Sequence, residues 1–234
     1  MRSHGHSRAY SIKCIIDLHA APGSQNGMEH SSSRDGTTGW STSPDSISQT
    51  LVVIDFLASR YAKHPALLGI ELLNEPSSAT VPLDILVSYY KQGYQIVRKY
   101  SSTAYVIFCQ RIGNTDPFEL YQANLGSINT GVPSTSSEWC KWASCFYWEW
   151  VNEWNVMSGS QLDYQDFGRA QLEVYGAASF GWAYWTIKND RKHWDFEWNI
   201  QNNYLQLGKI VASPTIHREK YNKFLNLKRL AFCF

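Results

Sequence analysis

Two glutamates, Glu75 and Glu149, each close an apolar run, and a pair of carboxylates so placed can share acid and nucleophile duties. The first ends Leu67-Leu68-Gly69-Ile70-Glu71-Leu72-Leu73-Asn74-Glu75-Pro76, a nearly continuous apolar stretch of the kind found in a parallel strand covered on both faces. Pro76 has no N–H for a sheet ladder, so the strand is expected to stop there and leave Glu75 on the carboxyl rim, where α/β folds bind ligands. Asn74 could hydrogen-bond a ligand or hold the carboxylate. Glu149 follows Ala143-Ser144-Cys145-Phe146-Tyr147-Trp148 and is expected at the same rim. Glu153 competes with it, because Glu-Trp occurs twice, but Glu149 ends the apolar run directly and is preferred. One Glu protonating a leaving oxygen while another attacks the anomeric carbon from the opposite face is glycoside hydrolysis, with retention expected for carboxylates about 5–5.5 Å apart and inversion for a pair about 6.5–9.5 Å apart.

Composition narrows the class. The chain of 234 residues is 44% apolar and 18% charged, enough for one globular domain over 1–234 with a substantial core. Its net charge of +1 and scattered Lys and Arg give no basic face for nucleic acid and no polybasic segment for a membrane surface. Ten Trp and fourteen Tyr exceed what such a core needs, and part of that excess is expected in a cleft, where indole faces stack on pyranose rings. Cys14, Cys109, Cys140, Cys145 and Cys233 form no CxxC pair, so free thiols are expected rather than a zinc knuckle or a disulfide framework. Asp17 and His19 have no second His at ligand spacing, so no metal and no other cofactor is expected. Residues 1–10 lack an apolar signal-type run, and no 18-residue apolar stretch occurs.

The elements that must carry these residues alternate. Ser11 to His19 reads as a buried strand, and the loop from Ala20 to Ser43 is long enough to be functional rather than a connector. Ser43-Pro44 caps a helix with Ile47, Leu51, Ile54 and Ala58 on one face, running to about Lys63. A second helix carries Leu86, Tyr90, Tyr94 and Val97 on one face, and the strand Ala104 to Phe108 follows. From 113 to 143 the period breaks. A third helix is expected near Asp163, with Phe167, Ala170, Val174 and Ala177 in register, then an aromatic strand from Ser179 to Trp185 and a basic closing helix from Ile216 to Lys228. Five strands alternating with helices predict a parallel α/β sheet, as a barrel or an open sheet.

Three strand ends resemble glycoside hydrolase family 5, in particular plant and fungal glucan exo-1,3-β-glucosidases. They are Asp17-Leu18-His19-Ala20-Ala21-Pro22-Gly23-Ser24-Gln25-Asn26-Gly27, Leu68 to Pro76, and Gly181-Trp182-Ala183-Tyr184-Trp185. The resemblance implies a retaining β-glycosidase on a (β/α)8 TIM barrel, acting outside the cell or in the cell wall as a monomer on an oligo- or polysaccharide. It makes Glu75 the acid/base, Glu149 the nucleophile, Asn74 a ligand of the sugar 2-hydroxyl, His19 the histidine after the third strand and Trp185 the platform beneath the sugar. Lys188, Asn189, His193 and Trp194 are further candidates for the cleft.

The departures are specific. Trp148 stands where the family has a glycine before its nucleophile, and no sixth strand with its His-x-Tyr is legible between Asn114 and Phe146. The first two strands, with the Arg that supports the nucleophile, would precede residue 1. The chain is therefore expected to be an N-terminally truncated, internally deleted and incomplete barrel, with about five of eight βα units. A glycan-binding remnant without activity is the alternative.

Overall fold

The computed structural model describes residues 13–114, 116, 119–123, 125, 146–153, 159–175, 181–207 and 230–233. The chain divides into two compact units, residues 1–144 with 227–234, and residues 145–226. The expected closing helix at 216–228 and most of the irregular segment at 113–143 lie outside the described residues.

In the first unit the strands β1 (Lys13–Asp17), β2 (Leu67–Glu71), β3 (Tyr105–Ile107) and β6 (Leu230–Cys233) form one parallel sheet in the order β3-β2-β1-β6. Helix α1 (Pro44–Tyr61) links β1 to β2, and helix α2 (Leu83–Tyr100) links β2 to β3. The start of α1 is where its sequence puts it. Ser43 accepts the backbone N–H of Ser46 and Pro44 supplies the preset first φ. Its inward face holds Ile54 and Ala58, both fully buried, with Ile47 and Leu51 packed at the edge of the same core. The face of α2 is likewise as expected, with Leu86, Tyr90, Tyr94 and Val97 buried, and Tyr89 beside them.

Two phenols on α2 do more than fill space. Tyr89 donates to the carbonyl of Leu72 at 2.6 Å and Tyr90 to that of Cys109 at 2.6 Å, satisfying carbonyls just past the ends of β2 and β3. Burial pushes both hydroxyls far above the usual phenol range, so they stay donors. This corrects the extent of β2. Its ladder ends at Glu71 rather than running to Pro76: the Leu72 N–H still reaches the Ile107 carbonyl at 3.1 Å, but the Leu72 carbonyl is taken by Tyr89. The turn stays stitched to β1: Leu18 donates to the Glu71 carbonyl at 3.2 Å, and Asn74 donates to that of Leu18 at 3.0 Å.

Gly69 sets the spacing of β2 and β3. A Cβ there would lie 2.9 Å from both the Cβ and the carbonyl oxygen of Tyr105, and backbone cannot move aside cheaply. Gly69→Ala is therefore expected to lower stability by about 1–3 kcal/mol, read as a fall in the urea midpoint at constant slope.

The second unit contains the parallel pair β4 (Phe146–Trp150) and β5 (Gly181–Tyr184), helix α4 (Gln161–Tyr175) and the short helix α5 (Phe196–Gln201). Of the expected face of α4, Phe167 is half-buried but Ala170 is exposed, while Leu172 is 1% exposed and Gly168 is buried; the side chain of Val174 lies outside the described residues. A Cβ at Gly168 would meet Asn152 Oδ1 at 2.7 Å and Leu205 Cδ1 at 2.8 Å, so α4 packs closely at this glycine, which the simple apolar count does not mark. Ala177 lies outside the described residues. Strand β6 and the short helix α3 (Glu119–Gln122) were not legible in the sequence, which gave five strands where six are described. Among the described residues no helix is long and apolar enough to cross a membrane.

Candidate active site

Glu75 lies four residues past the end of β2, on a turn pinned at each of its backbone groups. Its φ is +43°, a left-handed conformation that a residue with a Cβ adopts only under constraint. The constraint is visible. The Glu75 N–H points to Cys109 Sγ at 3.3 Å, and its carbonyl accepts from Asn26 Nδ2 at 3.0 Å. Desolvation, aided by the negative charge of Glu71, pushes the Cys109 thiol well up, which keeps it neutral beside that turn.

Asn74 is buried, and its Nδ2 has no hydrogen-bond partner among the described residues. A buried amide donor left open next to a carboxylate is costly for folding alone and suits a ligand hydroxyl. The backbone of Asn74 is fixed by Gln25. This fully buried side chain donates to the carbonyls of Asn74 at 2.8 Å and His19 at 2.9 Å, and accepts from Ala21 N–H at 3.1 Å. At the end of β1, His19 Nδ1 meets Asp17 Oδ2 at 2.6 Å. That contact fixes the orientation of the imidazole, with Nδ1 turned to the carboxyl. Burial raises the Asp17 carboxyl above the ordinary range, and the bond to His19 pulls it partly back. Asp17 Oδ1 is buried without a hydrogen-bond partner. Among the described residues no group of three or more His, Cys, Asp and Glu side chains could hold a metal.

In the second unit, Glu149 is half-buried within β4, one residue before its end, and pairs in register with Ala183 of β5. Trp150 is buried beside it, edge-on to Trp182 at 5.4 Å and to Tyr184 at 4.9 Å. Trp182 thus serves the core. Trp185 follows β5, is half-buried, and donates its N–H to the carbonyl of Trp150 at 2.9 Å. Glu153 lies beyond the strand, beside Tyr164 and Tyr184, whose hydroxyls its charge helps push up. The loop candidates are engaged by other residues of the same unit: Lys188 pairs with Glu197 at 2.8 Å, and the Asn189 N–H faces Asp195 Oδ2 at 3.3 Å. His193 stacks on Tyr164 at 3.8 Å, and Arg191 sits over Trp194 at 5.1 Å. Gln25, Asn26 and Cys109, which hold the Asn74–Glu75 turn, were missed by sequence reasoning. The hints were the unusual length of the loop that carries the first two and their place in the Asp17–Gly27 stretch of the resemblance.

The sequence profile of Cellulase (glycosyl hydrolase family 5) matches residues 7–141, more than half of the chain. A glucan 1,3-beta-glucosidase of Pichia angusta is 41% identical over 101 residues, covering 42% of this chain and 23% of the relative. One from Yarrowia lipolytica is 23% identical over 267 aligned positions, covering 86% of this chain and 63% of the relative. This chain thus spans less than two thirds of the length of either. Among solved structures, the rutinosidase from Aspergillus niger superposes with a TM-score of 0.66 at 18% identity, covering 85% of this chain and 68% of the other. The fold is that of an incomplete (β/α)8 barrel. On these matches, and on strand ends that carry its motifs, the chain belongs to glycosyl hydrolase family 5.

Proposed function

We propose that this chain hydrolyses a β-glucan, β-1,3-linked for preference, with retention of anomeric configuration. Glu75 is the acid/base. It gives its proton to the glycosidic oxygen as the bond to the anomeric carbon breaks, then takes a proton from the water that releases the sugar. Glu149 is the nucleophile that holds the sugar as a covalent ester between those two steps. Asn74, His19 and Trp185 bind the sugar. The observation that carries the reading is the pairing of Glu75, on a strained and doubly held turn, with the open buried amide of Asn74. Backbone strain and an unpartnered donor both work against folding, and both are accounted for if the turn exists to meet a substrate. Glucan 1,3-beta-glucosidases among the relatives support the substrate class, and a secreted or wall-associated location follows from that substrate.

The test is hydrolysis of an aryl β-glucoside and a short β-1,3-glucan, with the anomer of the first product read by NMR. A β-anomer is expected, and Glu75→Ala is expected to slow the glucan reaction by about 10²–10⁴-fold. An α-anomer as first product, or equal rates with and without Glu75, would remove the reading.

A further inference from the structure

The imidazole of His30 reaches the Glu75 carboxylate, with Nε2 at 3.2 Å from Oε2. His30 sits in a one-turn 3-10 helix, Glu29–Ser31, inside the long loop after β1. That turn is stiff for its size. Asn26 Oδ1 accepts from Met28 N–H at 2.8 Å and from Ser31 Oγ at 2.6 Å, while Ser24 Oγ lies 2.5 Å from Ser31 Oγ and accepts from Gly27 N–H at 3.0 Å. The same Asn26 gives its Nδ2 to the Glu75 carbonyl, and that nitrogen lies 3.3 Å from His30 Nε2. One short segment therefore grips Glu75 by main chain and side chain together.

We propose that His30 is a positioning residue for Glu75: its imidazole, with Nε2 3.2 Å from Oε2, holds that oxygen and thereby leaves Oε1 to carry the proton to and from the glycosidic oxygen. The proposal rests on Glu75 being the acid/base. Among the described residues Oε1 has no partner, whereas Oε2 has His30. The other titratable groups facing His30 are its neighbour Glu29 and the ring of His19, 5.4 Å away and itself tied to Asp17. The His30 and Glu75 side chains are 38% and 27% exposed, so their contact contributes little to folding. Its effect is on orientation. A carboxyl free to rotate would spend most of its time with the proton-bearing oxygen misdirected, and misplacement of a catalytic group by about 1 Å can cost 100-fold.

The measurement compares the wild type, His30→Ala and His30→Gln on two β-glucosides, one with a dinitrophenolate leaving group that departs without protonation and one with an alkyl leaving group that requires it. His30→Ala is expected to lose about 10–100-fold in kcat on the alkyl glucoside and under about 3-fold on the dinitrophenyl one, with an unchanged Tm. His30→Gln keeps a polar group able to reach Oε2 and is expected to recover most of the loss. A merely structural role would lower Tm and slow both substrates together, and that result, or no loss on either, overturns the proposal alone. A wild-type chain inert on both substrates would remove the acid/base reading and this one with it. Independently of turnover, the His30 imidazole ¹⁵N signals should move in Glu75→Ala while those of His64 do not; an unmoved His30 overturns the contact.

Discussion

Glu149→Ala is expected to reduce turnover of an aryl β-glucoside by about 10⁴-fold or more, because removing a covalent nucleophile abolishes the two-step route rather than weakening one contact. The residue sits within β4, in register with Ala183, so the truncation removes a carboxylate without disturbing a loop. The decisive observation is stereochemical. Azide can enter the space left by a missing carboxylate, and the face from which it attacks reveals which carboxylate was there. In Glu149→Ala it attacks the substrate from the α face and yields the α-glucosyl azide. In Glu75→Ala it attacks the glycosyl-enzyme from the β face and yields the β-glucosyl azide. Both products are expected, each from its own variant. Glu153→Ala should remain within a few-fold of wild type, since Glu153 lies past the strand beside Tyr164 and Tyr184. Exchange of those outcomes between Glu149 and Glu153 would reassign the nucleophile.

Arg111→Ala is expected to destabilise the first unit by about 3–5 kcal/mol. Arg111 forms a fork with Glu119, Nε to Oε1 at 3.0 Å and Nη2 to Oε2, and donates Nη1 to the Val81 carbonyl at 2.8 Å. Asn114 Nδ2 adds a second donor to Oε2. The two side chains are 15% and 7% exposed, so deleting the guanidinium strands a desolvated carboxylate. The carboxylate in turn raises the Arg111 guanidinium above its already high range, which keeps it cationic at every working pH. Deleting both charges should hurt less than deleting one, because Arg111→Met with Glu119→Leu leaves nothing charged to desolvate. Urea denaturation of the two singles and the double gives the coupling, and a single-variant loss below about 1 kcal/mol would contradict the argument. The neighbourhood matters for chemistry as well. Ile112, next to Arg111, donates to the Pro76 carbonyl at 2.8 Å and accepts from Ser78 at 2.9 Å, bracketing the chain just after Glu75.

Where local sequence carried the information, the reading and the structure agree. Ser43 and Pro44 specify the start of α1 through one hydrogen bond and one fixed dihedral, both local, and the Leu86, Tyr90, Tyr94 and Val97 stripe specifies the buried face of α2. The failures are of another kind. The close packing of α4 is at Gly168, whose missing side chain lets Asn152 and Leu205 approach, a fact written in residues distant along the chain. Strand β6 gains its identity from pairing with β1, more than 200 residues earlier, and Leu230-Ala231-Phe232-Cys233 alone has no period to reveal it. At the candidate site the carboxylate and its adjacent amide stood out because strand-ending motifs are contiguous. The Gln25, Asn26 and His30 contacts did not, since all three reach across 45 or more positions to the 74–75 turn.

The left-handed turn at position 75 has a thermodynamic corollary. Holding a side-chain-bearing residue there costs about 1–2 kcal/mol that glycine would not incur. If Glu75 is the acid/base as proposed, Glu75→Gly removes the proton donor and relieves the backbone in one substitution, so loss of activity there carries no cost in folding stability.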